Sequence, residues 1–218
     1  ANYGTIKNCV SYGFVNFNWK SEVICGGICG YNGQYGTITI CSNCAEIYCN
    51  KKYTGGICGK SDGIITNCVN TGLVGDYNTS IYLAGGICGY GSPQYCYNKI
   101  DFTNQNICAL SGNYPTKSET NYYYKANEVY TYKDDYAQQK TIEEFNSGKV
   151  AYLLNQGNGN PIWGQTIDKG EDNDKFPVLN GEKIYGYNDG EILTNRELNW
   201  DEKGFATAGS KTYYLKPE

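Results

Sequence analysis

The sequence predicts an all-β fold, namely a parallel β-solenoid of about four coils of 27–32 residues with a small α+β cap after it. The first observation is the pentapeptide Gly-Gly-Ile-Cys-Gly, which occurs at 26–30, 55–59 and 85–89, so its copies are 29 and 30 residues apart. A fixed period of that length is typical of stacked repeats. The second observation is the absence of a helical apolar period in the first 110 residues. The third is the count of 28 Gly and 23 Tyr among 218 residues, which suits short strands between tight turns.

A second phrase runs in step with the pentapeptide. Residues 4–15 read Gly-Thr-Ile-Lys-Asn-Cys-Val-Ser-Tyr-Gly-Phe-Val, and residues 63–74 read Gly-Ile-Ile-Thr-Asn-Cys-Val-Asn-Thr-Gly-Leu-Val. Looser copies start at Gly36 and Gly91, and the pentapeptide itself decays at 105–109. Repeat arrays usually end in atypical copies, because the last unit meets water or a cap. Since the sequence begins inside a repeat, we expect it to be a piece of a longer chain.

The corners of each coil are predicted from its asparagines and glycines. Asn8 and Asn67 each stand directly before a cysteine, and Asn tolerates the left-handed backbone that a corner requires. Glycines at the other corners permit a positive φ or a close approach of two chains. The same position of successive coils should then stack at a spacing of about 4.8 Å.

The pattern Gly-x-Ile-x-Asn-Cys-x-x-x-Gly-x-Val, followed by Gly-Gly-Ile-x-Gly, resembles the GLUG repeat. The resemblance covers about the first half of the chain, closely in two copies and loosely in two, with Cys where the family often has Val. GLUG repeats occur in large secreted and surface-displayed bacterial proteins, including some immunoglobulin A peptidases and adhesin-like proteins. The resemblance implies a stalk or adhesive array, extracellular or on the bacterial cell surface, and it carries no catalytic motif.

The composition of the sequence changes after residue 112, and these changes indicate further segments. We expect GLUG-like repeats at 1–112, a Tyr-rich degenerate coil or strands at 113–140, a helix-containing cap at 141–181, and a tail, edge strands or linker to a following domain at 182–218. In the Tyr-rich segment, two short strands are expected at 121–125 and 128–133.

The predicted cap starts with a capping-box pattern, in which Thr141 is followed three residues later by Glu144. Apolar residues from Ile142 to Leu154 then mark one face of a helix of about three to four turns. Trp163, Gln165 and a Pro-Val-Leu sequence follow, as they commonly do after GLUG-type repeats in surface proteins of gut-type bacteria. We expect this segment to cover the last strands of the solenoid, whose backbone groups would otherwise be unpaired.

Eleven cysteines are present, and eight of them align on the repeat in two columns: Cys9, Cys41, Cys68 and Cys96, then Cys29, Cys58, Cys88 and Cys108. The favoured interpretation is that these thiols are small buried apolar groups stacked from coil to coil. A second interpretation is a set of disulfides that involve the remaining Cys25, Cys44 and Cys49, with at least one thiol left free by the odd count. A third is a metal site on Cys41, Cys44 and Cys49.

Several classes of function are disfavoured by composition. The chain has no histidine, which removes Ser-His-Asp and Cys-His catalysis and histidine-ligated metals. The net charge of −4, without a Lys/Arg run, argues against nucleic acid as a partner. No apolar stretch approaches the roughly 20 residues that span a bilayer. We expect no cofactor and no bound metal.

Acidic residues give two weak candidates for chemistry. A glycosidase needs two carboxyl groups about 5–9 Å apart on one face, and the acids within the repeats do not recur in register. These acids are Glu22, Glu46, Asp62, Asp76 and Asp101. The run from Asp168 to Asp174 is rich in acids, but it fails the spacing of an EF-hand calcium loop. Solvated turn and loop acids explain both groups more simply.

Tyrosines are the best binding candidates, because their rings stack on sugars and pack against proteins at a small entropic cost. The predicted ligand-binding residues are Tyr31, Tyr53 and Tyr90, and the simpler interpretation is a Tyr ladder that stabilises the stack. Seven other tyrosines of the repeats were considered for the same side of the stack, namely Tyr12, Tyr35, Tyr48, Tyr77, Tyr82, Tyr95 and Tyr97.

The predicted function is therefore a non-catalytic repeat module of a bacterial surface or secreted protein. It would adhere to a host glycan, mucin, surface protein or polysaccharide, with flanking domains of a longer parent chain as further partners, and many weak contacts would sum by avidity. Two alternatives stay open. One is the arm of a surface peptidase or a β-helical polysaccharide-degrading enzyme, which clustered carboxylates would support. The other is a structural spacer, which polar and featureless faces would support.

Overall fold

A computed structural model of the chain describes the following residues: 1–17, 23–49, 53–75, 83–100, 107–113, 118–126, 137–156, 162–166, 170–172, 174–181, 187–188, 191–192, 206–208 and 211–213. These residues form two compact units, Ala1–Gln139 and Lys140–Glu218, and each unit is described by itself. The strand expected at 128–133 lies outside the described residues.

The first unit contains fifteen described strands, most of them two to four residues long. They are β1 Thr5–Lys7, β2 Val10–Ser11, β3 Phe14–Phe17, β4 Ile24–Gly26, β5 Cys29–Asn32, β6 Thr37–Asn43, β7 Glu46–Cys49, β8 Tyr53–Gly55, β9 Cys58–Ser61, β10 Ile64–Asn70, β11 Ala84–Gly85, β12 Cys88–Tyr90, β13 Tyr97–Ile100, β14 Tyr122–Lys125 and β15 Gln138–Gln139.

These strands stack in parallel, so the predicted β-solenoid is confirmed. One sheet runs β1-β6-β10-β13-β14-β15, with β2 also paired to β6, and three narrower sheets run β4-β8-β11, β5-β9-β12 and β3-β7. Each turn of chain gives one segment to each sheet. The stack comprises about three turns, whereas four coils were expected. Beyond the third turn the main sheet continues through β13, β14 and β15, but the narrower sheets receive only isolated bridges at Cys108 and Ser111.

A left-handed residue stands before each cysteine of the first column. Asn8, Ile40, Asn67 and Tyr95 have φ of 56°, 53°, 52° and 52°. The prediction for Asn8 and Asn67 is confirmed, and the same backbone recurs where the sequence has Ile or Tyr. In β6 the left-handed residue breaks the alternation of side chains, so that Ile38 and Cys41, three residues apart, both point inward and are fully buried.

Replacing Asn8 by alanine should lower the free energy of unfolding by about 1 kcal/mol, because alanine lacks the short polar side chain that lets asparagine tolerate left-handed backbone. Replacing it by glycine should restore or exceed the stability of the native chain, since glycine adopts this conformation freely. Asn8 is exposed, so packing contributes little to either change. Urea denaturation of the three proteins measures the difference, and an equal loss in both variants would contradict the backbone explanation.

The pentapeptide and the second repeated pattern contact each other inside the stack. Asn43, Asn70 and Asn98 form a buried ladder, in which Asn43 Nδ2 donates to Asn70 Oδ1 at 2.7 Å and Asn70 Nδ2 donates to Asn98 Oδ1 at 2.8 Å. The second glycine of each pentapeptide lies directly against this ladder. A Cβ at Gly56 would overlap both the Asn70 side chain and the carbonyl oxygen of Gly86. The close approach of backbone to the ladder therefore explains why this position is glycine.

The interior is lined by isoleucines and thiols. Cys41 pairs in register with Cys68, and Cys29 with Cys58 and then Cys88. All but Cys29, which is 9% exposed, are completely shielded from solvent. Burial raises the pKa of Cys88 to about 12 and raises that of Cys68 well above the ordinary value, so both thiols stay protonated. A protonated, buried thiol is a poor nucleophile and packs as a small apolar group.

The placement of Cys108 in the second column is wrong. Cys108 pairs with Gly85, and Ser111 takes the place beside Cys88. The final copy of the pentapeptide is therefore Cys-Ala-Leu-Ser-Gly at 108–112, three residues later than the sequence alignment put it. The alignment matched the cysteine, whereas the structure matches Leu110 to Ile87. Leu110 O accepts from Ile87 N and Cys88 N, just as Ile87 O accepts from the backbone of the preceding turn. At the other end, Cys9 is exposed in the first turn.

Two cysteines outside the columns, Cys25 of β4 and Cys49 of β7, form a disulfide. It joins the first turn to the second beside a smaller buried cluster that includes Ile47, Val74 and Ile107. This bond agrees with the second interpretation of the cysteines and takes Cys49 out of the metal site proposed by the third. Cys44 remains a free, exposed thiol.

Thiol counting should give two distinct numbers. In the folded protein we expect fast alkylation of the exposed Cys9 and Cys44. After unfolding without reductant, nine thiols should react, because Cys25 and Cys49 are joined. Intact-mass spectrometry measures both numbers. Alkylation of all eleven cysteines in the unfolded, unreduced protein would contradict the disulfide, and rapid labelling of Cys68 or Cys88 in the folded state would contradict their burial.

The second unit begins with two short helices, α1 Ile142–Asn146 and α2 Lys149–Asn155. The predicted capping box is present, since Thr141 accepts from Glu144 N and the Glu144 carboxylate accepts from Thr141 N. The single helix that was expected is interrupted, because Gly148 adopts φ of 78° and starts a new helix.

Short strands complete the second unit: β16 Trp163–Gly164, β17 Val178–Leu179, β18 Tyr187–Asn188, β19 Glu191–Ile192, β20 Ala206–Ala208 and β21 Lys211–Tyr213. They pair antiparallel as β16-β17, β18-β19 and β20-β21, and a 3-10 turn lies at Gly170–Asp172. Gln165 links helix α1 to the segment at Asp174, because its Nε2 donates to the carbonyl oxygens of Phe145 and Asp174 at 2.8 Å each. The role of this unit as a cap stays a prediction.

Candidate functional site

Tyr31, Lys60 and Tyr90 form one column on the sheet β5-β9-β12. Each residue directly follows the last glycine of a pentapeptide, and the register pairs Tyr31 with Lys60 and Lys60 with Tyr90. All three side chains are half-buried. The repeat therefore places one long side chain per turn, a spacing of about 4.8 Å, in a line along the stack.

Aromatic rings surround the lysine of this column. Lys60 Nζ lies 5.3 Å from the ring centroid of Tyr31 and 5.6 Å from that of Tyr90. Tyr53 of β8 packs edge-on against Tyr90 with ring centroids 5.8 Å apart, and Tyr3 packs edge-on against Tyr31 at 6.3 Å. The five side chains make a continuous aromatic strip with a cation near its centre, which we call the tyrosine strip. Both Tyr–Lys distances fall within the range of cation–π attraction.

One carboxylate completes the tyrosine strip. Asp62 Oδ2 accepts from the Tyr31 hydroxyl at 2.7 Å and from Lys60 Nζ at 3.1 Å. The Tyr31 hydrogen bond, helped by Lys60, lowers the pKa of Asp62, and the carboxylate in turn raises the pKa of Tyr31 and that of Lys60. Asp62 is therefore ionised and Lys60 charged throughout the neutral range. Because these groups lie at the surface in contact with solvent, their attraction orders the side chains more than it stabilises the fold.

The strip offers two kinds of contact to a ligand. Aromatic faces and edges supply apolar area with little rotamer entropy to lose. The Asp62–Lys60 pair supplies an acceptor and a donor side by side. Such a combination of rings and paired polar groups is chemically suited to holding a ligand. It contains a single carboxylate, whereas glycoside hydrolysis by the usual mechanism needs two.

The sequence singled out Tyr31, Tyr53 and Tyr90, and the structure brings all three into this strip. Sequence reasoning missed Lys60, although alignment on the pentapeptide already places it opposite the two tyrosines. Asp62 was named only among the acids of the repeats and was interpreted as a solvated turn residue, whereas the structure brings it to Tyr31 and Lys60. Other tyrosines of the repeats lie elsewhere: Tyr12 and Tyr35 are exposed without a described contact to the strip, Tyr97 is buried, and Tyr77 and Tyr82 fall outside the described residues.

Among the remaining candidate acids, Glu46 and Asp174 lie within the described residues. Glu46 accepts a hydrogen bond from the Tyr48 hydroxyl at 2.6 Å, while Glu22, Asp76 and Asp101 lie outside the described residues. Asp174 accepts from Thr166 N at 2.8 Å and closes the loop in which a calcium site was considered. Within the described ranges, no group of three or more Cys, Asp or Glu side chains is arranged to hold a metal ion.

No helix in the described part of the chain has the length and apolar character needed to cross a membrane. Comparisons with protein-family models, with curated proteins and with solved structures gave no match to this chain.

Proposed function

We propose that this chain is a non-catalytic binding module that adheres to carbohydrate through the tyrosine strip. The observation that supports the proposal is the convergence of Tyr31, Tyr53 and Tyr90 around the Lys60–Asp62 pair on the side of the solenoid. Rings of this kind stack on the apolar faces of sugars, and an adjacent donor and acceptor hold sugar hydroxyl groups.

The surroundings of a bacterial cell surface suit such a module, and the resemblance to GLUG repeats supports that location as part of the proposal. An elongated stack presents its side to a surface-bound polymer, and copies displayed together bind by avidity. The enzyme and spacer alternatives receive less support, because the strip has one carboxylate and is not featureless.

The proposal is tested by screening the purified chain on a broad glycan panel and on mucin, beside a Tyr31→Ala/Tyr90→Ala double variant. Saturable binding by the native chain that falls at least about tenfold in the folded variant supports the proposal. A Tyr12→Ala variant is the matched control, since Tyr12 is 76% exposed and lies outside the strip. Glycan binding that survives in the double variant, or that is lost in the control, would place the site elsewhere.

A second outcome discriminates the spacer from the adhesive module. If the native chain binds no glycan and no mucin while its circular dichroism shows an intact β fold, the carbohydrate proposal fails. The spacer function would then have the better support.

A further inference from the structure

Resting on the proposed function, we infer that the ligand is an uncharged, linear polysaccharide that lies along the solenoid axis and contacts three successive turns. The inference concerns the charge, the shape and the minimum length of the ligand. Each of these follows from a different feature of the tyrosine strip.

The charge of the ligand follows from the charge balance of the strip. Lys60 and Asp62 are 3.1 Å apart and neutralise each other, and no other charged side chain is in contact with this pair among the described residues. The carboxylate of a uronic or sialic acid would be attracted by Lys60 but repelled by Asp62. The ammonium group of an amino sugar would be attracted by Asp62 but repelled by Lys60. A neutral sugar meets neither repulsion and displaces less tightly held water.

The polar groups that remain available match a pair of neighbouring hydroxyl groups. Asp62 Oδ2 is engaged by Tyr31 and Lys60, whereas Oδ1 has no described partner. The Lys60 ammonium group has three N–H donors and uses one on Asp62. Asp62 Oδ1 can therefore accept from one sugar hydroxyl while Lys60 Nζ donates to its neighbour. This arrangement fits two neighbouring hydroxyl groups, which each unit of a 1,4-linked neutral hexose or pentose polymer carries.

The direction and length of the ligand follow from the register. Tyr31 and Tyr90 lie in one column two turns apart, which corresponds to about 10 Å along the axis. A monosaccharide covers one ring or the central pair, but not all three positions. A linear chain of about three or more sugar units, laid along the column, places one unit at each turn. A branched or globular glycan cannot follow the column in this way.

The test is isothermal titration of the folded chain with linear oligosaccharides of one to six units. The neutral probes are cello-, manno- and xylo-oligosaccharides, and the acidic probes are oligogalacturonides of the same lengths. For at least one neutral series, affinity should rise at least about tenfold between two and four units and then level off. The acidic tetramer should bind at least about tenfold more weakly than the best neutral tetramer.

Three variants give readouts that a structural role would not change. Tyr31→Ala and Tyr90→Ala should each reduce tetrasaccharide affinity towards that of a disaccharide, with little change in the affinity for the disaccharide itself. Asp62→Asn should weaken neutral binding and raise the affinity for the acidic tetramer, because Lys60 is then uncompensated. Tyr12→Ala should change neither, and circular dichroism verifies that each variant is folded.

The outcomes separate the inference from the function on which it rests. Binding of the acidic series as strongly as the neutral series, or affinity that does not depend on chain length, overturns the inference while the carbohydrate function stands. Binding of branched glycans alone also overturns it. If no panel glycan and no oligosaccharide binds, both the inference and the proposed function fail.

Discussion

Replacing Gly56 by alanine is expected to lower the free energy of unfolding by about 3 kcal/mol, at the upper end of the usual cost of overpacking. The new Cβ would overlap the carbonyl oxygen of Gly86 in the next turn and the side chain of Asn70. The Gly86 backbone is hydrogen-bonded to both neighbouring turns, because its carbonyl oxygen accepts from Gly56 N and its N–H donates to Cys108 O. The Asn70 side chain takes part in three hydrogen bonds. Neither the Gly86 carbonyl oxygen nor the Asn70 side chain can move away from the new Cβ without separating two turns of the stack.

Gly4→Ala is the matched control for this substitution, because nothing lies within 4 Å of a Cβ built there. It should change stability by no more than about 0.5 kcal/mol. Urea denaturation followed by circular dichroism measures both variants. If Gly56→Ala proves as stable as Gly4→Ala, the backbone of adjacent turns is not as close as the structure places it.

Replacing Asn70 by aspartate should be the most destabilising change in the ladder, by about 4 kcal/mol near pH 7, because it buries an unpaired charge. Asn70 is 1% exposed, and its Nδ2 donates to Gly72 O at 2.9 Å and to Asn98 Oδ1 at 2.8 Å. An aspartate would present an oxygen to both acceptors. Asn70→Ala should cost less, about 2 kcal/mol, since it leaves Asn98 Oδ1 without its donor but buries no charge.

The pH dependence distinguishes the two variants. In Asn70→Asp, burial between acceptor oxygens should raise the pKa of the new carboxyl group in the folded state above its unfolded value of about 3.9. Its stability relative to the native chain is therefore highest below about pH 4 and is lost as pH rises through the raised pKa. The stability of Asn70→Ala relative to the native chain should not depend on pH. A flat difference for both variants would contradict the buried ladder.

Much of the architecture was predictable, because a repeated sequence repeats its structure. The period of the pentapeptide predicted parallel stacking, and the Asn-Cys pairs at Asn8 and Asn67 predicted the left-handed corners. The sequence did not show that Ile40 and Tyr95 adopt the same backbone, since stacking on neighbouring turns overrides their local preference. Nor did it show the three-residue shift at Cys108, because the last copy keeps a cysteine but moves it to the place of a glycine.

The reason for the glycines also required the structure. A glycine in the pentapeptide predicts a corner or a close approach, but only the stacked turns show that the approach is to a buried asparagine on another sheet. The end of the asparagine ladder explains why the last turn has Ala109 where the earlier turns have glycine. It occupies the glycine position of the last turn, where the register places Tyr123 after Asn98 and the asparagine ladder ends.

The candidate site was predictable in its tyrosines but not in its polar pair. Tyr31 and Tyr90 follow two copies of the pentapeptide, so alignment alone brings them into one column. Tyr53 precedes its pentapeptide and reaches Tyr90 across two sheets, a contact that depends on the corner between them. Asp62 meets Tyr31 from the next turn, and such contacts between turns depend on side-chain direction as well as on register.

The central claim, that the tyrosine strip binds carbohydrate, is tested most directly by nuclear magnetic resonance of the chain with ¹³C-labelled tyrosine rings. The chain is titrated with the strongest-binding glycan from the panel, and each ring signal is assigned by single Tyr→Phe substitutions. We expect saturable shifts at Tyr31, Tyr53 and Tyr90, with the Tyr12 signal unchanged. Shifts at Tyr12 with none in the strip, or no shift at any ring during demonstrable binding, would contradict the claim.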